Sequence, residues 1–369
     1  MGSIQYDLAS NDALRRSRSS LASPETECVD LLGRPLKDLR LSVIDQCNFR
    51  CTYCMPKDVF TKDYPFLTSS EILSFDQMTL LAESFVRLGV EKIRITGGEP
   101  LLRKNLEFLI ERLARLKTRD GEDVEISLTT NGALLAKKAA ALRNAGLRRV
   151  TVSLDALDDH VFGKMNGVGF PVGKVLHGIE TAVAVGLEPV KVNMVVERGA
   201  NDGQVLPIAE YFRNTGVTVR FIEFMDVGGA QLWDKQKVVP SDEIRHVIES
   251  AHPLLPVEKD RLNDTAINYE YSDGAGKIGF ISSVSKPFCG NCTRARVSAD
   301  GQLFLCLFAT NSVDLKPLLG EIQSPLQLAS EIRKHWNNRD DQYSSTRSAA
   351  YSRTGKKTYP TVRMSLVGG

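Results

Sequence analysis

No run of about 18 consecutive apolar residues occurs in the chain, so no membrane-spanning helix is expected. Charge of one sign is also missing. The 47 basic residues nearly cancel the 45 acidic ones, which leaves no electrostatic footprint for DNA or RNA. Histidine is scarce, and His160, His177, His246, His252 and His335 are scattered. None stands at metal-ligand or Ser/His/Asp spacing, so neither kind of histidine site is expected. The chain lacks a GxGxxG loop, low-complexity segments and coiled-coil heptads. Residues 1–27 mix charges (Asp7, Asp12, Arg15, Arg16, Arg18, Glu25) without an apolar stretch, unlike a secretory leader. They read as a flexible tail, with the extension taken to run over 1–30. The 42% hydrophobic and 25% charged residues suit a globular chain long enough for one large or two modest domains.

Cysteine is what the chain has in an unusual arrangement. Seven is an odd number, and six fall into two groups of three. Disulfide frameworks rarely look like this in a long chain, whereas metal sites do, and a reducing, cytoplasmic setting follows. Cys28 is left over and lies before the fold proper, as a free thiol. The first group is the octapeptide Cys47-Asn48-Phe49-Arg50-Cys51-Thr52-Tyr53-Cys54, with C-x3-C-x2-C spacing. A structural zinc site needs four closed ligands, and an electron-transfer [4Fe–4S] cluster takes four thiolates. Three thiolates instead leave one iron of a cubane open to a substrate or cofactor. The second group is Cys289-Gly290-Asn291-Cys292 followed by Cys306, C-x2-C-x13-C, again with no fourth ligand. Zinc held by three cysteines and a water remains an alternative there.

Strand-like runs at 38–45, 91–96, 124–129, 149–154, 189–196 and 217–224 alternate with helical runs at 69–88, 104–117, 134–144, 172–185 and 202–214. Ser69 or Ser70 is the expected cap of the first helix. Such alternation argues for parallel βαβ units. Gly97-Gly98-Glu99-Pro100, Thr129-Thr130-Asn131-Gly132, Ser153-Leu154-Asp155 and Glu223-Phe224-Met225 all sit where a strand yields to its loop. Four such stations favour a partial (β/α)6 TIM-type barrel with a shared mouth over a doubly wound sheet. Lys92 and Arg94 share one strand face, and Lys191 and Arg220 alternate with apolar neighbours. Buried cations are costly unless an anion meets them, so several pointing inward would await a polyanion; singly, each could instead snorkel at a strand edge. Past about 240 the pattern changes to a helix at 241–250, Pro253 and Pro256, and a hairpin over 266–284 around Asp273-Gly274-Ala275-Gly276. A smaller C-terminal α+β region, 251–369, then carries the second cysteine group. Arg294 and Arg296 would share a strand face beside it, and their guanidinium forks suit phosphate oxygens. A helix is expected at 325–336.

The octapeptide resembles the radical S-adenosylmethionine superfamily. From about Leu31 to Gly369 the chain resembles one of its families, the GTP 3′,8-cyclases, which open molybdenum cofactor biosynthesis. The resemblance rests on the octapeptide, Ile95-Thr96-Gly97-Gly98-Glu99-Pro100, Thr129-Thr130-Asn131-Gly132, Arg220-Phe221-Ile222-Glu223-Phe224-Met225, Cys289-Gly290-Asn291-Cys292-Thr293-Arg294-Ala295-Arg296 and the closing Gly368-Gly369. It implies a [4Fe–4S] cluster on Cys47, Cys51 and Cys54 whose open iron chelates S-adenosylmethionine, with Tyr53, Gly98, Ser153 and Met225 contacting that cofactor. It implies a second [4Fe–4S] cluster on Cys289, Cys292 and Cys306, facing guanine. Arg40, Arg94, Thr129, Lys191, Arg294 and Arg296 match GTP contacts, and Lys92 and Arg220 join them as inward cations. Gly368 and Gly369 would enter the active site.

The implied activity is that of a lyase. A 5′-deoxyadenosyl radical takes hydrogen from ribose C3′, C3′ attacks guanine C8, and reduction gives (8S)-3′,8-cyclo-7,8-dihydroguanosine 5′-triphosphate. The implied partners are GTP, an electron donor such as flavodoxin or ferredoxin, and a downstream cyclic pyranopterin monophosphate synthase, with the enzyme a monomer or homodimer. Two rivals remain at this point: a different radical enzyme of the superfamily, such as a peptide-modifying maturase, and a non-enzymatic zinc or iron–sulfur scaffold.

Overall fold

The computed structural model describes residues 27–227, 233–258, 264–309, 311–345 and 364–367. Strands β1 (Asp38–Ser42), β2 (Lys92–Thr96), β3 (Glu125–Thr130), β4 (Arg149–Ser153), β5 (Lys191–Val196) and β6 (Thr218–Glu223) follow the alternation read from the sequence. Between them run α1 (Phe75–Arg87), α2 (Leu106–Leu113), α3 (Leu135–Asn144), α4 (Asp159–Asn166), α5 (Val172–Ala184) and α6 (Val205–Tyr211). Then come α7 (Ser241–Glu249), β7 (Leu254–Pro256), β8 (Ile267–Tyr271), β9 (Lys277–Ile281), β10 (Arg294–Val297), β11 (Gln302–Phe304), β12 (Val313–Asp314), α8 (Lys316–Glu321), α9 (Pro325–Asn337) and α10 (Met364–Val367). No helix among the described residues is long and apolar enough to cross a membrane.

All twelve strands form one sheet, ordered β12-β11-β10-β1-β2-β3-β4-β5-β6-β9-β8-β7. From β10 through to β9 every neighbouring pair is parallel. The C-terminal strands therefore extend the barrel wall at both edges, where the sequence suggested a region beside it. The sheet is curled. Arg94 on β2 and Arg220 on β6 stand close enough to repel each other, although four strand spacings of a flat sheet would separate them by about 19 Å. No pairing between β9 and β10 occurs among the described residues, so the barrel is open there. The connection 282–293 has to cross that opening, because it joins the carboxyl end of β9 to the amino end of β10.

The core lies between this wall and its helices. Leu39, Leu41, Ile93, Ile95, Ile126, Leu128, Val150, Val152 and Val192 are all fully buried on the outward strand faces. Helix α1 begins at Ser74, not at Ser69 or Ser70. Ser74 and Gln77 form a reciprocal capping box, while Glu71 is occupied accepting bonds from the backbone and hydroxyl of Thr68 one turn earlier. Met78, Leu81, Phe85 and Val86 are the buried stripe of this helix. The sequence reading assigned no helix between 155 and 171, yet α4 stands there, capped by Asp158 and ended by Gly167 at φ 69°. Its eight residues are too few for a clear 3.6-residue period. Cys28 lies inside the fold and not before it: it is fully buried and its thiol donates to Asn337 Oδ1. Residues 1–26 lie outside the described residues.

Candidate active site

The first cysteine triad lies on the loop that leaves the carboxyl end of β1. The loop is held almost entirely through its backbone. Arg50 N donates to Asn166 O at 2.8 Å and Thr52 N to Met165 O at 3.3 Å, so the end of α4 is its platform. The Arg50 guanidinium gathers the carbonyls of Cys47 (2.7 Å), Phe49 (2.8 Å) and Phe60 (3.0 Å). Asn131, after β3, donates to Asn48 Oδ1 at 2.8 Å. Asn131 is placed in turn by Glu99, whose buried carboxylate accepts from Asn131 N, Thr130 Oγ1 and Leu101 N. Burial outweighs these bonds and pushes Glu99 up to about 7. Gly97 and Gly98 let β2 press against the same loop. A Cβ on Gly98 would stand 2.3 Å from Gln46 O, and one on Gly97 2.3 Å from Ile44 O.

The Tyr53 hydroxyl donates to Asp155 Oδ2 at 2.8 Å, and Val195 N donates to the other carboxylate oxygen at 3.0 Å. This buried pair ties the triad loop to β4 and β5. Tyr53, Met165 and Phe224 form a small apolar cluster, with Met364 of α10 packed against it. The described part of the C-terminal tail therefore lies beside the first triad; Gly368 and Gly369 lie outside the described residues. Gly98, Ser153 and Met225 stand at the carboxyl ends of β2, β4 and β6, on the rim that carries the triad.

The second triad lies at the amino end of β10, whose first residues Arg294 and Arg296 are level with Asp38 and Arg40 of β1. Strand β11 returns antiparallel, with Phe304 opposite Arg296, and that register carries Cys306 back to the level of Arg294, beside Cys292. The two triads occupy different ends of neighbouring strands but face one channel. Tyr343 makes the connection: it stacks on Phe308, two residues from Cys306, and donates to Asp226, next to Met225. Glu223, at the end of β6, accepts from the backbone of Ser241 at the start of α7 and from those of Val284 and Ser285 at the start of the 282–293 crossing.

Cross-strand register stacks the inward side chains in levels. Arg294, Asp38, Lys92 and Glu125 share one. Above them lie Arg296, Arg40, Arg94 and Ser127, the last level with Arg149. Next come Thr129, Thr151 and Lys191, and then Asn193 with Arg220. Burial, then Arg94 and Arg149, pushes Lys92 down to about 7; burial, then Arg220 and Arg149, pushes Lys191 down to about 8. Burial, reinforced by Arg94, drives Arg220 down to about 9, and burial with Arg296 lowers Arg40 well below its usual range. Guanidiniums stay charged, so these shifts express the cost of burial first and mutual repulsion second, both of which an anion would relieve. The Thr129 hydroxyl is buried with no partner among the described residues.

Arg149 was not singled out in the sequence, although Arg149, Thr151 and Ser153 alternate on one face. It and Lys92 both pair with Glu125. Glu125 was likewise not singled out, whereas Asn131 and Asp155 fell within the strand-end stations without a role of their own.

The donor sets suit iron–sulfur clusters. All seven cysteines are free thiols. Phe49 N donates to Cys47 Sγ at 3.4 Å, Arg294 Nη2 to Cys292 Sγ at 3.4 Å and Phe308 N to Cys306 Sγ at 3.5 Å, the N–H···S contacts that tune cluster thiolates. Burial pushes the Cys47 and Cys54 thiols up to about 12, so their thiolate forms need the charge of a bound metal centre.

Residues 41–212 match the family model described as "Radical SAM superfamily", and 217–345 match "Molybdenum Cofactor Synthesis C". A protein named GTP 3′,8-cyclase from Xanthomonas campestris pv. campestris (strain B100) is 50% identical over 340 residues, 92% of this chain and 97% of that one. One of the same name from Staphylococcus saprophyticus is 46% identical over 347 residues, 93% of this chain and 99% of that one. Among solved structures, Streptococcus suis SuiB bound to precursor peptide SuiA superposes with a TM-score of 0.57, covering 94% of this chain and 73% of that one at 14% identity. That last likeness concerns the fold alone. On the identity and coverage of these relatives, the chain belongs to the GTP 3′,8-cyclase family of radical S-adenosylmethionine enzymes.

Proposed function

We propose that the chain is a lyase that joins ribose C3′ of GTP to guanine C8, giving (8S)-3′,8-cyclo-7,8-dihydroguanosine 5′-triphosphate as the first step of molybdenum cofactor biosynthesis. One observation carries this reading: a curled sheet lines the space between two cysteine triads with Arg40, Lys92, Arg94, Lys191, Arg220, Arg294 and Arg296. A peptide substrate would leave those charges without a purpose; a triphosphate answers them.

In this reading Cys47, Cys51 and Cys54 hold one [4Fe–4S] cluster, with Tyr53, Gly98, Ser153 and Met225 around S-adenosylmethionine. Cys289, Cys292 and Cys306 hold a second, toward guanine. When bound, the first cluster and S-adenosylmethionine supply the one-electron chemistry that makes a carbon radical for hydrogen abstraction from ribose. The protein's own work is placement. The stacked cations grip the phosphates, Thr129 Oγ1 offers an unused hydrogen bond, and Arg294 and Arg296 hold the nucleotide beside the second triad. Tyr53, Met165, Phe224 and Met364 form an apolar wall that keeps water from the reacting carbon. Residues 31–250 would serve the radical step and 251–369 the substrate. The same reading takes a flavodoxin- or ferredoxin-type electron donor, cyclic pyranopterin monophosphate synthase as consumer, a cytoplasmic setting and a monomer or homodimer.

The test is incubation with GTP, S-adenosylmethionine and dithionite without oxygen, followed by mass analysis. A cyclised nucleotide should appear with 5′-deoxyadenosine, on protein carrying about eight irons per chain. 5′-Deoxyadenosine without a cyclised nucleotide would sink the reading.

A pH dependence follows from the lysines. Lys92 at about 7 and Lys191 at about 8 are partly neutral in the free protein, and a bound polyanion favours their charged forms. GTP binding near pH 8 should therefore take up protons, and affinity should fall as pH rises from about 7 to 9. Calorimetry in buffers of different ionisation enthalpy measures the uptake; enthalpies independent of buffer would refute it.

A further inference from the structure

Two guanidiniums and a carboxylate are buried on the far side of the second triad, outside the channel. Asp30, Arg34 and Arg339 are 5%, 2% and 2% exposed. Asp30 Oδ2 accepts from Arg34 Nε at 2.6 Å and from Arg339 Nη1 at 3.2 Å. Its other oxygen accepts from the backbones of Leu32 and Arg34, both at 2.9 Å. Each arginine then reaches a different cysteine carbonyl: Arg34 Nη1 donates to Cys289 O at 2.9 Å, and Arg339 Nη1 to Cys292 O at 2.8 Å. Arg34 Nη1 also meets Asp341 O at 2.8 Å. Trp336 fixes both arginines, donating to Arg34 O at 3.2 Å and lying under the Arg339 guanidinium at 4.6 Å.

The group is too costly to be incidental. Three ionised side chains out of water carry a large desolvation penalty, recovered only through good geometry and further hydrogen bonds. Here those further bonds converge on the carbonyls of two cysteines, and those cysteines are separated by only two residues on a short turn. The turn itself, Cys289–Asn291, is a single 3-10 turn, which has little rigidity of its own. The residues that hold it come from the two extremities of the described fold, the 28–36 loop and the end of α9. A second carboxylate, Asp341, faces Arg339 Nε at 3.7 Å, so the two guanidiniums are matched in charge and their hold on the turn is one of geometry.

We infer that Asp30, Arg34 and Arg339 are positioning residues that preorganise the Cys289-x2-Cys292 turn for its metal centre. This rests on the reading of Cys289, Cys292 and Cys306 as ligands of a second cluster. Arg34 and Arg339 each donate to the backbone of a ligand.

The test uses full-length protein reconstituted with iron and sulfide without oxygen, comparing wild type with Arg34→Gln, Arg339→Gln and Arg34→Lys. Wild type should carry about eight irons. The glutamine variants should fall toward about four, keep the electron paramagnetic signal that responds to S-adenosylmethionine and lose the one that responds to GTP. Arg34→Lys keeps the charge facing Asp30 but not the planar fork that reaches two carbonyls. It should melt like wild type as apoprotein, yet release half of its iron to a chelator about 10-fold faster, the scale of effect seen for groups behind metal ligands. Full iron, both signals and unchanged release in all three variants would overturn the inference. Wild type carrying only about four irons would overturn the second-cluster reading, and the inference with it. A fall shared equally by both signals would also overturn it, since general destabilisation would then suffice.

Discussion

Arg296→Ala is expected to weaken GTP binding by roughly 30- to 5,000-fold while leaving S-adenosylmethionine binding unchanged. The magnitude is that of truncating one partner of a buried, hydrogen-bonded charge pair, about 2–5 kcal/mol. Arg296 suits the full effect because it is 4% exposed and shares a level with Arg40 and Arg94 across β10, β1 and β2. Burial, then Arg294, pushes it down to about 10. A charge held against such opposition contributes most when an anion arrives. Arg294→Ala should act in the same direction. Paired titrations with GTP and S-adenosylmethionine measure both affinities. Unchanged GTP affinity in both variants would remove these arginines from the substrate site, and equal loss of the two ligands would point to a collapsed site.

Gly98→Ala should cost at least about 100-fold in activity, the scale of a misplacement near 1 Å at a reacting centre. The added Cβ would meet Gln46 O at 2.3 Å and Asp45 O at 2.5 Å. Both obstacles are backbone atoms, so no side chain can rotate away. The chain leading into Cys47 has to shift, and the first triad shifts with it. Iron should drop from about eight to about four per chain, with S-adenosylmethionine binding lost. Gly173→Ala is the control: a Cβ there meets nothing within 4 Å at the start of α5, and the variant should behave as wild type. A Gly98→Ala protein with full iron and normal S-adenosylmethionine affinity would show that the close approach is dispensable.

Both variants fall on residues that the sequence made visible, and the reason is local chemistry. Three cysteines in eight residues, or two glycines before Glu-Pro, are decisive without any three-dimensional information. The cations of β2, β5, β6 and β10 were visible because a period of two sorts a strand's faces, whereas Arg40 of β1 came only from the family resemblance. Arg149 obeys the same period, but a strand's first residue is as often outside as in. Asp30, Arg34 and Arg339 left no such mark. Their meaning depends on Asp30 and Arg339 meeting, at 3.2 Å, from opposite extremities of the described chain. Helix α4 escaped for another reason: its contribution is made by the carbonyls of Met165 and Asn166, and backbone atoms carry no sequence signature. The attachment of β9 to β6 and β10 to β1 was also hidden, since a hairpin pattern says nothing about which sheet edge it will join.

That last attachment bears on how the molecule is made. Strand β1 exposes a bare edge until β10 reaches it, so during synthesis the earliest strand must wait, unpaired on that side, until residue 297 has left the ribosome. Pairings so remote in sequence make for slow maturation, and an unsatisfied strand edge invites contact with other nascent chains. A chain stopped before β10 would therefore be expected to aggregate rather than persist as a half-built enzyme.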